Sequence, residues 1–406
     1  MSLPPLPDPF PAVRQAGHAL LPAGDAFLPD PLSVVRPAYG RGSLADLLPS
    51  VSAVLGVPGA ADVLGLGEQL GGVDRIAVLL VDGLGAYQLP VAAPYAPVLG
   101  ELTGRTLTAG FPSTTPVSLT TLGTGRPPGA HGILGFTVRR PDGSVLNHIR
   151  WGKDPDPALW QPLPTRFETA AGAGVATTLV TPPHFEGSGL TVAAYRGAGF
   201  TGATDPYALS TAMLGALSRP GLVYGYYADL DHHGHGSGVD SEPWRAAAVE
   251  VGELVTRLAE GLPRGAALLV TADHGQLNIP PENRLDLAAE PSLSAAITGV
   301  SGEPRARYLY VEPGARDDVV AAYREVLGSS AWVLTREEAV ELGLYGPVAP
   351  GHLDRIGDVV IVCLGHTVVL AGGWEPPSVG SLVAYHGSVT AAEMLIPLLI
   401  SVGPPL

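Results

Sequence analysis

The chain of 406 residues has one cysteine, one lysine and no run of about 18 consecutive apolar residues, the length that would cross a membrane. A lone thiol, Cys363, cannot close an intramolecular disulfide, and its setting in DVVIVCLG reads as a buried strand position. Positive charge is scarce. Lys153 is the only lysine among 23 basic residues, set against 38 acidic ones, and the formal charge is −15. Nucleic-acid backbones and anionic membranes attract basic surfaces, so neither a nucleic-acid duplex nor a membrane is expected as partner. An acidic chain can still hold a small phosphorylated ligand through metal ions. The first residues, MSLPPLPDPFPAVRQ, lack a basic start followed by an apolar stretch, which leaves a cytoplasmic protein as the expectation.

Glycine (53) and proline (41) are abundant, so no isolated glycine carries an argument by itself. They crowd residues 1–45, which are expected to wrap the surface irregularly, ahead of one catalytic-size domain over 46–406. Within it, short apolar, β-branched runs recur at 75–81, 176–181, 221–229, 266–273, 305–312 and 358–365. Runs this long and this apolar suit strands buried on both faces of a largely parallel sheet. Amphipathic stretches at 242–260 and 315–327 and a final helix near 390–401 alternate with them. The pattern predicts an α/β fold, a doubly wound sheet with helices on both faces. Residues 285–350 carry no motif and are expected to form a small inserted cap.

Polar residues gather where the runs end. RIAVLLV meets Asp82-Gly83, AALLVT meets Asp273-His274-Gly275, and GLVYGYY runs into ADLDHHGHGSG. In open α/β sheets the ligand site lies beyond the carboxyl ends of the strands, so all three should reach one edge. YYADLDHHGHGSG holds two interleaved acid–histidine pairs of equal spacing, Asp229 with His233 and Asp231 with His235; spacing alone does not choose between them. AYHGS adds His386. Carboxylates and imidazoles without thiolates suit zinc or a similar divalent ion, and two such ions ~3.5–4 Å apart serve phosphoryl transfer. The hydroxyl-rich stretch GFPSTTPVSLTTLGTG offers the nucleophile. It can open a helix with Pro116 at the first position and Thr115 as N-cap, where the helix terminus favours an incoming phosphate.

Taken in order, a strand-end Asp, a Thr ahead of Thr124-Gly125 and His131-Gly132-Ile133, an Asp-x-x-Gly-His stretch, an Asp-His-Gly and a late His-Gly resemble the alkaline phosphatase superfamily. The closest branch is that of type I phosphodiesterases and nucleotide pyrophosphatases. The resemblance implies an alkaline-phosphatase-like fold and two divalent metal ions, zinc first and manganese as the alternative. It implies that Asp82, Asp273 and His274, with Thr115, hold the ion that activates the nucleophile, and that Asp231, His235 and His386 hold the second. Thr115 is the implied nucleophile, with Thr114 as its neighbour in register. Gly234 before His235, and the frame from Tyr226-Tyr227 to Gly238, select Asp231 with His235 over the other pair. One departure stands out: where family phosphodiesterases carry an asparagine for a phosphoryl oxygen, this chain has Phe136, and Asn147 in VLNHIRW is the candidate to supply an amide instead. The implied reaction is hydrolysis of a small phosphate ester or nucleotide through a phospho-threonine. The alternatives are a phosphomonoesterase, a phosphonate hydrolase, or a catalytically silent metal-binding protein of the same fold. A sulfatase is set aside because Cys363 stands in no Cys-x-Pro-x-Arg setting, and a cofactor-independent phosphoglycerate mutase because the chain is too short.

Overall fold

RIAVLLV has a polar side chain only at its first position, so a strand made from it needs cover on both faces. In the computed structural model, which describes residues 28–405, it forms β1 (Arg75–Val81), buried from Ile76 onward. The other strands of the two main sheets are β2 (Thr103–Thr108), β3 (Ala176–Thr181), β4 (Gly199–Gly202), β5 (Gly221–Tyr227), β6 (Ala266–Thr271), β7 (Ile297–Glu303), β8 (Ala306–Val311), β9 (Ala331–Thr335), β10 (Val359–Cys363) and β11 (Leu395–Val402). The central sheet has seven strands in the order β2-β11-β6-β1-β5-β3-β4. β1 pairs in parallel with β5 and β6, with Val81 level with Tyr227 and Leu80 level with Thr271, so three carboxyl ends open on one edge. β2 and β4, the two edge strands, read TGRTLT and GFTG; polar residues suit an edge, and for that reason neither run stands out in the sequence.

The expected helix at 390–401 is a correction. Residues Ala391–Met394 make a single turn, and LIPLLISV then runs as β11, antiparallel between β2 and β6. Pro397 is incompatible with a helix interior, and side chains apolar on both sides fit a strand enclosed by two layers. The runs at 305–312 and 358–365 are strands as expected, yet they lie outside the parallel sheet. They form β8 and β10 of a four-stranded antiparallel sheet ordered β7-β8-β10-β9. Tyr308, Tyr310, Val360 and Val362 face one apolar cluster with Phe111, Val117 and Ile133, while Leu309, Val359, Ile361 and Cys363 face another. Both faces are covered, and a strand so placed cannot be told from a parallel-sheet strand by composition.

Helix α1 (Thr115–Thr124) follows β2, α2 (Asp229–Ser237) follows β5, α3 (Glu242–Glu260) precedes β6, and α4 (Arg316–Leu327) packs on the second sheet. In α3 the Ser241 hydroxyl accepts the Trp244 N–H, and Trp244, Ala247, Ala248, Val251, Val255 and Leu258 form the buried stripe. The segment 285–350 contributes β7, β8, α4 and β9; β10 lies beyond it. Of the stretch expected as an irregular wrap, residues 1–27 lie outside the described residues; residues 28–43 run without helix or strand, pinned where Val34 bridges Thr390 and Ser43 bridges Thr108. Among the described residues no helix is long and apolar enough to cross a membrane.

Candidate active site and metal centre

Asp82 follows β1 directly, its N–H bonded to Tyr227 O at 2.9 Å, so the last rung of the β1–β5 ladder sets its position. Gly83 then turns the chain at φ 75°, and a Cβ there would meet Asp231 Cβ at 3.0 Å. Only glycine allows the first acidic residue and the start of α2 to approach so closely. Asp273 and His274 follow β6; Asp273 Oδ1 accepts the Gly83 N–H at 3.1 Å and the His274 N–H at 3.0 Å. α2 carries Asp231 and His235 one turn apart on one face. His386 follows a two-residue strand, Ala384–Tyr385, which pairs with Leu277–Asn278 just after His274.

Two groups of ligand atoms result. Asp82, Asp273 and His274 form one, Asp231, His235 and His386 the other, and within each the atoms lie no more than 4.8 Å apart. Asp229 is exposed and His233 half-buried, and both stand in neither group. The Thr115 hydroxyl lies 3.2 Å from His274 Nε2 and 3.5 Å from Asp82 Oδ2. Its place in α1 differs by one residue from expectation: Thr114, extended at φ −137°, is the N-cap, Thr115 is the first helical residue and Pro116 the second. The Thr114 side chain makes no capping bond. The loop before α1 is stitched to the His386 loop, with Ser113 N–H donating to Gly387 O at 3.1 Å and Ser113 Oγ to Ser388 O at 2.7 Å.

Each imidazole has its tautomer set by a carbonyl. Nδ1–H of His235 donates to Ala384 O at 2.8 Å, that of His386 to Ser113 O at 2.9 Å, and that of His274 to Gly275 O at 3.3 Å. All three Nε2 lone pairs therefore point inward. His235 Nε2 and His386 Nε2 face each other at 3.1 Å, and His274 Nε2 lies 3.3 Å from Asp273 Oδ2 and 3.5 Å from Asp82 Oδ1. Those two carboxylate oxygens are buried without a hydrogen-bond partner. Acceptor atoms gathered this closely suit a cation between them. Burial pushes the Asp82, Asp273 and Asp231 carboxyls up, Asp82 further through the charges of Asp273 and Asp231, and it pushes His274 and His386 down. Neutral imidazoles and reluctant carboxylates are the ligand set that divalent cations stabilise, so the residues present fit two metal ions.

Partners missed in the sequence hold these ligands. Tyr226 O–H donates to Asp82 Oδ2, and the Gln276 amide donates to Asp231 Oδ1. A Cβ on Gly234 would meet Gln276 Oε1 at 1.8 Å, so that glycine makes room for the Gln276 side chain. Tyr226 has a signal that could have been found, since a tyrosine near the end of the strand beside β1, level with Leu80, can reach toward the strand-end Asp82; Gln276 has none. His131 is structural: its Nε2 lies 3.0 Å from Thr121 Oγ1, and its Nδ1 accepts the Ile133 N–H across Gly132. A cavity of about 370 Å³ opens over Thr115, Asp82, Asp231, His235 and His386. Phe136 lines it, whereas Asn147 lines a neighbouring cavity and accepts the Ile149 and Arg150 N–H groups through its own Oδ1.

Residues 76–389 match the family described as type I phosphodiesterase / nucleotide pyrophosphatase. No curated protein matches the chain in sequence. Among solved structures, murine ectonucleotide pyrophosphatase / phosphodiesterase 5 superposes with a TM-score of 0.64 at 19% identity, covering 80% of this chain and 87% of its own. An inactive variant of that murine protein in complex with AMP gives 0.63 at 18% identity, covering 80% and 87%. Phosphonoacetate hydrolase from Sinorhizobium meliloti in complex with phosphonoacetate gives 0.62 at 20% identity, covering 83% and 92%. At such identity these likenesses speak for the fold, and the family match speaks for descent: the chain belongs to the type I phosphodiesterase / nucleotide pyrophosphatase family and has the alkaline-phosphatase-like fold.

Proposed function

We propose that the protein is a two-metal phosphodiesterase or nucleotide pyrophosphatase in which Thr115 is the nucleophile. The observation that carries this reading is the position of the Thr115 hydroxyl, 3.2 Å from His274 Nε2 and 3.5 Å from Asp82 Oδ2 at the N-terminus of α1, above two converging ligand groups. Asp82, Asp273 and His274 would hold one ion together with Thr115, and Asp231, His235 and His386 the other. Zinc suits this ligand set best, with manganese as the alternative. When bound, the ions supply Lewis-acid stabilisation of the charge on the nucleophile, the phosphoryl oxygens and the leaving oxygen.

The chain's own residues do the rest. The α1 terminus directs free N–H groups and a positive dipole at the phosphoryl group. Thr115 Oγ bonds to phosphorus as the bond to the leaving oxygen breaks, and the hydroxyl proton passes to the departing alcohol or phosphate. Water then cleaves the phospho-threonine, returning the hydroxyl and releasing the product. The Thr115 side chain is nine-tenths buried, which limits water at the reacting oxygen until a substrate is seated. The family match and the AMP bound to the murine neighbour support a small phosphodiester or nucleotide as substrate.

The test pairs metal analysis with hydrolysis of bis-p-nitrophenyl phosphate, p-nitrophenyl phosphate and phosphonoacetate by wild type and Thr115→Ala. The expected result is a preference for the diester and a fall in kcat of about 10³-fold or more in Thr115→Ala, with metal retained. Full activity in Thr115→Ala would sink the nucleophile assignment, and faster cleavage of the monoester or phosphonate would move the substrate class. Bound metal without turnover of any ester would support the silent metal-binding alternative.

A further inference from the structure

A second cavity of about 360 Å³ adjoins the one over Thr115. The two share Phe136, His235, Leu382 and His386 in their walls, so they meet at the second ligand group with the Phe136 ring at the junction. They differ in what else they touch. The first includes Thr115 and Asp82; the second includes neither, and extends under the second sheet to Glu303, Thr114 and Trp374. In an in-line displacement the nucleophile and the leaving oxygen lie on opposite sides of phosphorus. A cavity that touches His235 and His386 but not Thr115 has room for the group that departs from phosphorus.

Its floor is polar and unsatisfied. Glu303 is 6% exposed; its Oε2 accepts the Phe136 N–H at 3.2 Å, and its Oε1 has no hydrogen-bond partner. The fully buried Thr114 hydroxyl faces this carboxyl closely enough to favour its charged form, though outside full hydrogen-bond geometry. The nearby Arg307 is engaged by Glu375 and gives Glu303 no direct ion pair. Buried polar atoms are normally paired, and a buried carboxyl oxygen without a partner in a cavity wall, with a hydroxyl beside it, suits a ligand hydroxyl, which can both donate and accept. Trp374, half exposed in the wall of the same cavity, adds an apolar surface for the body of such a group.

Resting on the phosphodiesterase reading above, we infer that this second cavity receives the leaving alcohol and that Glu303, seconded by Thr114, makes it select an alcohol bearing a further hydroxyl. Thr115 Oγ bonds to phosphorus as the P–O bond to that alcohol breaks. The proton lost from Thr115 completes the released diol, and water later frees the retained monoester from Thr115. Glu303 is thus a specificity-determining residue: it holds the departing group by a hydroxyl remote from phosphorus.

The experiment uses the metal-loaded enzyme and methyl phosphodiesters in matched pairs, 2-hydroxyethyl against ethyl, 3-hydroxypropyl against propyl and 4-hydroxybutyl against butyl, with products identified by phosphorus NMR. The expected result is that at least one hydroxyalkyl ester is cleaved with kcat/KM about tenfold or more above its alkyl partner, releasing the diol and leaving methyl phosphate. In Glu303→Gln the amide oxygen keeps the Phe136 N–H bond and the amide N–H₂ turns to Thr114 Oγ1, so the preference should fall to within about threefold, with the melting temperature showing the fold intact. Thr114→Val should lower it by a smaller factor. Equal rates for every pair in wild type, retention of the preference in Glu303→Gln, or release of methanol in place of the diol would each overturn the inference while the phosphodiesterase reading stood. No turnover of any diester would overturn both.

Discussion

Arg305 and Glu393 form a two-point ion pair in which both side chains are fully buried, Nε to Oε1 at 3.0 Å and Nη2 to Oε2 at 2.5 Å. Glu393 also accepts the Ser388 N–H at 3.0 Å and the Thr390 hydroxyl at 2.5 Å, so one carboxylate ties the second sheet to the loop that carries His386. Removing one partner of such a pair strands a charge. Arg305→Met should destabilise the fold by about 3–5 kcal/mol in chemical denaturation. The double variant Arg305→Met/Glu393→Leu should recover part of that loss, because it leaves no orphaned ion. A single variant as stable as wild type would show that the pair contributes nothing to holding the sheets together.

The metal reading separates the interleaved pairs of YYADLDHHGHGSG. Asp231→Asn and His235→Ala should each release about one of two ions and lower kcat by about 100-fold or more, read by elemental analysis beside activity. Asp229→Asn with His233→Ala should keep both ions, because Asp229 is exposed and neither residue joins a ligand group. The reverse outcome would mean the motif had been taken in the wrong register.

Tyr226 supports Asp82 without belonging to a ligand group. Tyr226→Phe deletes only the donated O–H, and metal affinity should fall by roughly 10–100-fold. At saturating metal most of kcat should return. A lasting loss of kcat with full metal content would instead give the phenol a direct part in the reaction.

Glu303 makes stability depend on pH. Burial pushes its carboxyl from an ordinary 4.5 up to about 8, with the Thr114 hydroxyl, the Phe136 N–H and the Arg307 charge only partly opposing. The folded chain therefore holds a proton that the unfolded chain has released between these values, and folding becomes less favourable as pH rises through that window. Glu303→Gln cannot ionise. Its melting temperature should be close to wild type near pH 5 and exceed it by a margin that grows up to about pH 8, then levels. A constant difference across that range would place the Glu303 pKa near its ordinary value.

Much of the site is legible because the motifs sit where the sheet stops. Asp82, Asp273 and His274 each follow an apolar run, and parallel strands in register bring run-ends to one edge whatever lies between them. The gly-his dipeptide at 234–235 is legible for a steric reason, since Gln276 occupies the space a side chain at 234 would take. LIPLLISV differs from the expected helix because a short, almost wholly apolar run has no periodicity to mark it; Pro397 is its one local sign against a helix, and pairing with β2 and β6 makes it a strand. DVVIVCLG and RARYLYVE lie in the antiparallel sheet although they match the expectation for the parallel one, because burial on both faces erases the alternation that marks antiparallel strands.

By itself the sequence determined which residues could bind metal and in what order along the chain, because ligand chemistry and strand-end placement are local properties. Tertiary structure alone decided that Ser113, Ala384 and Gly275 carbonyls turn three Nε2 lone pairs inward, that Tyr226 and Gln276 brace the carboxylates, and that Glu303 reaches a cavity beside His386. Apart from the local His274–Gly275 contact, these join segments tens to hundreds of residues apart, and no periodicity or spacing encodes them; they follow from how the loops and the second sheet meet at the edge where β1, β5 and β6 end.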